Sequence, residues 1–124
     1  MGNRSGLAWA AFALVIMQGR ANAAEPRNYD FLRAELVKSG YKSLTIKHQP
    51  QDHYCGEGFC KTYPETISCN QGGLHYCGMV FFKPSDGSYL VVDTLGEVEH
   101  KLTVVRQRKP DESEMKVIRG QRDF

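Results

Sequence analysis

The sequence has none of the short motifs that announce common chemistries: no Gly-x-Ser-x-Gly elbow, phosphate-binding loop, His-Glu-x-x-His pair or dinucleotide fingerprint. No catalytic residue and no cofactor is therefore expected. Cysteines never occur as Cys-x-x-Cys, which removes the usual redox motif and the usual structural zinc knuckle. The longest apolar run, Leu7 to Met17, is too short to span a bilayer. Internal repeats and low-complexity tracts are absent, so a chain of 124 residues reads as one ordinary globular domain.

What is present begins with an address. Arg4 supplies a positive start, the apolar run follows, and Ala21-Asn22-Ala23 places small residues two apart ahead of Ala24. This pattern is a secretory signal peptide over residues 1–23. It leads to a periplasmic or secreted protein with no membrane insertion after cleavage. Removing it discards Arg4 and Arg20, so the 16 Lys plus Arg fall to 14 and balance the 14 Asp plus Glu. With no net charge, the mature chain has no global attraction to nucleic acid. Only the C-terminal region stays locally basic, with Arg106, Arg108, Lys109, Lys116, Arg119 and Arg122 interleaved with acids, and residues 109–124 read as a solvated, charged C-terminal tail.

Cys55, Cys60, Cys69 and Cys77 all fall in the mature part, and an even number in a small exported domain indicates two disulfides. Three pairings are open. Gly56 and Gly58, then Gly72 and Gly73, favour the local one, 55–60 with 69–77, because each pair sits inside a short loop that must fold back. His53 and His75 each lie two residues before a cysteine and would add borderline metal ligands, but gaps of four, eight and seven residues argue against a metal site.

The expected fold is α+β over 24–108: one N-terminal helix packed on a four-stranded antiparallel sheet, with a disulfide-stapled loop. Tyr29, Leu32, Leu36 and Val37 form a helical stripe with Arg33, Glu35 and Lys38 elsewhere; Asn28 can cap its start and Gly40 its end. Leu44 and Ile46 alternate in a first strand. Cys77 to Phe82, Tyr89 to Thr94 and Val98 to Gln107 supply three more, joined by the Pro84-Ser85-Asp86-Gly87 and Leu95-Gly96-Glu97 turns. Residues 111–119 either form a short helix, with Met115 and Ile118 on one side, or stay loose. The middle strands are apolar on both faces, so one helix cannot cover them; the loop, the tail or another chain must cover the second face.

For chemistry, Asp93, Glu97, Glu99 and His100 are the densest polar group, yet the strand alternation sets Glu99 on the opposite face from Val98 and His100. The stapled loop is more informative. It concentrates Phe59, Tyr63 and Tyr76 beside Glu65, and a rigid loop presenting aromatics makes a binding surface.

Cys55 and Cys60, then Lys61-Thr62-Tyr63-Pro64-Glu65, Cys69, Gly72-Gly73 and Cys77, preceded by Tyr29-x-x-Leu32-Arg33-x-x-Leu36 and Ser39-Gly40-Tyr41, resemble small exported four-cysteine proteins of Gram-negative bacteria. The resemblance covers residues 29 to about 97 and implies compartment and cysteine pairing, with no activity attached. The expectation is a non-catalytic binding module that contacts another envelope or exported protein through the 53–77 loop, with Phe59, Tyr63, Glu65 and Tyr76 as contact residues. Two alternatives stand beside it. One is a small metal-dependent or carboxylate-based hydrolase using His53, His75 and the 93–100 acids; the other is a structural envelope component or homodimer.

Overall fold

The structure, a computed structural model, describes residues 27–47, 58–70 and 74–121. The signal segment, His53, Tyr54 and Cys55 lie outside the described residues. Within them the fold is α+β, with six strands all paired antiparallel.

The first helix, α1, spans Tyr29–Lys38, and both its ends follow from single residues. The Asn28 side chain accepts the Phe31 N–H at 3.3 Å, satisfying one of the donors that a helix start leaves free. At the other end Gly40 takes φ +99°, the Gly40 N–H reaches Val37 O and the Tyr41 N–H reaches Leu36 O. This is a Schellman closure, which glycine adopts without steric cost. Tyr41 then packs back on the core beside Leu36.

The sheet is built around a hairpin of β4, Tyr76–Lys83, and β5, Ser88–Leu95. Its turn uses Gly87 at φ +74° and an Asp86 carboxylate that accepts the Ser88 N–H at 2.9 Å. Beyond β5 lie β6, Thr103–Arg108, and the two-residue β1, Arg27–Asn28. The other edge of β4 is shared. Strand β3, Thr66–Cys69, takes its first half and β2, Lys42–Ser43, its second.

The expected four strands become six for physical reasons. β1 is too short to show alternation and exists because it pairs with Thr103 and Val104. β3 lies between the cysteines, where the sequence reads as loop. The first strand pairs earlier than expected, at 42–43, after which the Leu44 N–H reaches Val80 O and the Ile46 N–H reaches Pro64 O. β6 starts at Thr103 rather than Val98 because residues 98–101 turn, with His100 at φ +69°.

Both faces of the β4–β5 hairpin are covered by this chain. Under α1 lie Met79, Phe81 and Val92, packed with Tyr29, Leu32, Leu36, Phe59, Tyr63 and Leu102. Val80 and Val91 face the other way, against Ile46, Ile67 and Ile118. Ile118 belongs to the C-terminal helix, which spans Glu112–Gln121 and follows a short helical turn at Phe59–Thr62; in chain order these are α3 and α2. The segment read as a charged tail thus contributes Ile118, with Met115 beside it, to the second core. Asp111 and Glu114 start α3 with a reciprocal capping box: the Glu114 N–H donates to Asp111 Oδ1 at 2.8 Å and the Asp111 N–H to Glu114 Oε1 at 2.9 Å.

Cys69 and Cys77 sit directly opposite each other on β3 and β4 and are joined by a disulfide. Cys60 is also disulfide-bonded.

Candidate functional site

Arg33 lies four residues after Tyr29, about 40° round the helix from it, so it borders the buried stripe instead of standing apart. Both side chains converge on Glu65, which β3's approach carries beneath α1 with its carboxylate fully buried. Tyr29 Oη donates to Glu65 Oε2 at 2.6 Å and Arg33 Nη2 to Oε1 at 2.9 Å. Arg33 Nε stands 2.7 Å from Oε2, close enough for an ion pair but without hydrogen-bond alignment. An isolated buried carboxylate would be strongly disfavoured, so this pairing is what lets Glu65 sit there. Burial, then the Glu65 charge, push the Tyr29 hydroxyl well above the ordinary phenol range. Burial works against the Arg33 charge, but Glu65 outweighs it and holds the guanidinium above its usual value.

A second polar ring lies over the first. The His100 N–H donates to Tyr63 Oη at 2.7 Å, Tyr63 Oη donates to Asp30 Oδ1 at 2.8 Å, and Asp30 Oδ2 meets His100 Nδ1 at 2.6 Å. His100 needs its left-handed backbone for this, a conformation that a non-glycine residue holds only when neighbours impose it. Asn28 Nδ2 adds a hydrogen bond to His100 O at 3.0 Å. Thr62 Oγ1 donates to Glu99 Oε1 at 2.8 Å, tying α2 to the same turn. Burial, with Asp30 beside it, pushes the Tyr63 hydroxyl up to about 12.

These elements enclose an open groove of about 580 Å³. Ala34 and Val37 form its apolar part, Arg33 and Lys38 its cationic part, and Asp30 with His100 its far rim. Val37 is 56% exposed. An imidazole fixed through Nδ1 keeps Nε2 for a ligand or for a proton.

The expected contact residues are placed differently. Phe59, Tyr63 and Glu65 come together but are buried, at 7%, 1% and 0% exposure. Phe59 stacks edge-on against Tyr63 and against His75, with ring centroids 5.3 and 5.7 Å away. Phe59 and Tyr63 give most of their apolar area to the core under α1, and Tyr63 also lines the groove from below. Tyr76 is half-exposed on the other sheet face, beside Asp93, Val105 and Arg106.

The 93–100 group does not converge. Asp93 faces α3, where it accepts from Arg106 Nε at 2.6 Å and Arg108 Nε at 2.8 Å. Arg108 also grips Glu114 through both Nη atoms, at 2.7 and 2.9 Å. Burial opposes the charge on Asp93, but the two arginines hold its carboxyl below the usual range. Glu99 faces Thr62 of α2 and His100 faces Asp30 of α1 instead. Arg33 and Lys38, expected off the buried stripe of the helix, and Asp30 in its first turn are the groove residues not singled out from the sequence. The available signal was the Tyr-x-x-x-Arg spacing, which places a cation beside the buried stripe.

No protein family, no curated protein and no solved structure matches the chain. The geometry alone carries the functional reading. Among the described residues no helix is long and apolar enough to cross a membrane.

Proposed function

We propose that this chain is an exported, disulfide-stapled binding module that engages another envelope or exported protein through the groove where the 53–77 segment meets α1. Periplasmic or secreted placement rests on the signal pattern at residues 1–23, with the Cys69–Cys77 disulfide in keeping with an oxidising compartment. The observation that carries the reading is the interlocked pair of rings, Tyr29–Arg33–Glu65 and Asp30–Tyr63–His100, lying under an exposed strip of Ala34, Val37 and Lys38. Such an arrangement spends folding energy to fix a surface before contact, which lowers the ordering cost of binding.

The occupant that fits is an extended protein segment with an apolar side chain for Ala34 and Val37 and a carboxylate for Lys38. Val37→Asp places an acid on the apolar strip without touching the core. Immobilised wild-type chain should retain a discrete exported protein that the Val37→Asp chain fails to retain, while Leu74→Asp, at an exposed site outside the groove, retains it. Equal retention by Val37→Asp would place the contact elsewhere.

A further inference from the structure

Away from the groove, three donor groups meet at the start of β4. One ligand atom each from Cys69, His75 and Cys77 can be chosen so that all three lie within 4.8 Å of one another. Cys69 and Cys77 are opposed across the β3–β4 ladder, so breaking their disulfide leaves both sulfurs facing each other on a fixed scaffold. His75 is held by Gly96 on two sides: the Gly96 N–H donates to His75 O at 3.0 Å, and His75 Nδ1 lies 2.8 Å from Gly96 O. Nδ1 must donate to that carbonyl. The tautomer is thereby set with the Nε2 lone pair free, which is how metal-binding imidazoles are usually oriented by their surroundings.

Once the sulfurs part on reduction, the sulfur–nitrogen spacing is near what a tetrahedral ion needs. Zn–S bonds of about 2.3 Å and Zn–N bonds of about 2.0 Å put sulfur and nitrogen about 3.6 Å apart. Here Cys77 Sγ is 3.9 Å from His75 Nε2 and 3.6 Å from Nδ1, so the imidazole must turn slightly to aim Nε2 at an ion held by the sulfur. Cys69 and Cys77 are buried and His75 is half-buried, so an ion would enter from the His75 side. Phe59 stacks edge-on against the ring and limits its rotation.

We propose that Cys69, Cys77 and His75 form a redox-gated site for one Zn²⁺-type cation, closed in the disulfide state and open after reduction. The chemistry balances with a dithiol donor. The donor gives two electrons and two protons to the disulfide and becomes a disulfide itself; Zn²⁺ then displaces the two thiol protons as it binds the thiolates and the imidazole. Nothing in this rests on the groove.

The test is a titration of the phosphine-reduced chain with Co²⁺, followed by Zn²⁺. One Co²⁺ per chain should bind with thiolate charge-transfer absorption, and one Zn²⁺ should displace it. The oxidised chain should bind neither. His75→Ala should weaken binding by about tenfold or more, and Cys69→Ser/Cys77→Ser should abolish the absorption. Survival of the signal in that double variant would assign it to the other thiols and overturn the site, as would unchanged affinity in His75→Ala. If reduction melts the fold, Zn²⁺ should restore its circular dichroism, and failure to do so counts equally against the proposal.

Discussion

Arg108 clasps both carboxylate oxygens of Glu114, at 2.7 and 2.9 Å, and so fastens α3 to β6 over the second face of the sheet. Arg108 also holds Asp93, which makes one guanidinium the junction of two partly buried acids. Arg108→Met keeps the aliphatic stem but strands Asp93 and Glu114. It should cost about 3 kcal/mol in denaturant unfolding, the lower end for breaking a buried ion pair, because Arg108 retains some solvent. Unchanged stability would mean that α3 is held by Ile118 alone.

Asp93 gives this clasp a pH signature. Its carboxyl is held below the ordinary range, so it binds fewer protons in the folded chain than in the unfolded one. The stability it confers is full above about pH 4 and is lost as pH falls through its lowered folded value. Asp93→Asn should therefore be less stable at pH 7, by about 2 kcal/mol, and show a shallower loss on acidification. Parallel acid limbs for the two chains would contradict this.

Under α1, Tyr29 and Arg33 depend on Glu65. Glu65→Ala leaves a buried hydroxyl and a guanidinium without their acceptor and should cost about 3 kcal/mol. Tyr29→Phe keeps the Arg33–Glu65 pair and should cost about 1–2 kcal/mol. Urea unfolding of both variants checks the order, and a greater loss in Tyr29→Phe would show that the carboxylate is not the centre of the ring.

At high pH the same region reports on itself through tyrosinate absorbance. Tyr63 is pushed up to about 12 and Tyr29 higher still, so these two should ionise well above the ordinary phenol range. Both folded values are raised, so the stability they add is full below pH 10 and fades as pH rises through about 12. Removing Tyr63 as Phe should delete one late-titrating group. If instead an early one vanishes, Tyr63 is not buried against Asp30.

Much of this architecture was legible from local rules. The capped helix from Asn28 to Gly40, the β4–β5 hairpin around Gly87 and the 69–77 disulfide each follow from residues close in sequence. What could not be read depends on distant partners. β1 and β3 are strands because of what lies beside them, and α3 is ordered because Val80 and Val91 needed a cover. The groove shows the same limit. Alternation marks Phe59 and Tyr63 as aromatic but not which side of them faces water, while His100 earns its left-handed turn only from Asp30 and Tyr63, 70 and 37 positions away. Sequence charge placed Arg108 in a solvated tail, whereas burial of Glu114 draws it inward.

The central claim is that the groove along α1 is the surface this protein offers to a partner. The most direct measurement replaces Val37 with a photo-reactive residue in cells that produce the full chain, and compares it with the same residue at Leu74. Illumination should give one discrete protein adduct from position 37, lost when Lys38→Glu is added, and none of that mass from position 74. The same adduct from both positions, or one indifferent to Lys38, would contradict the account.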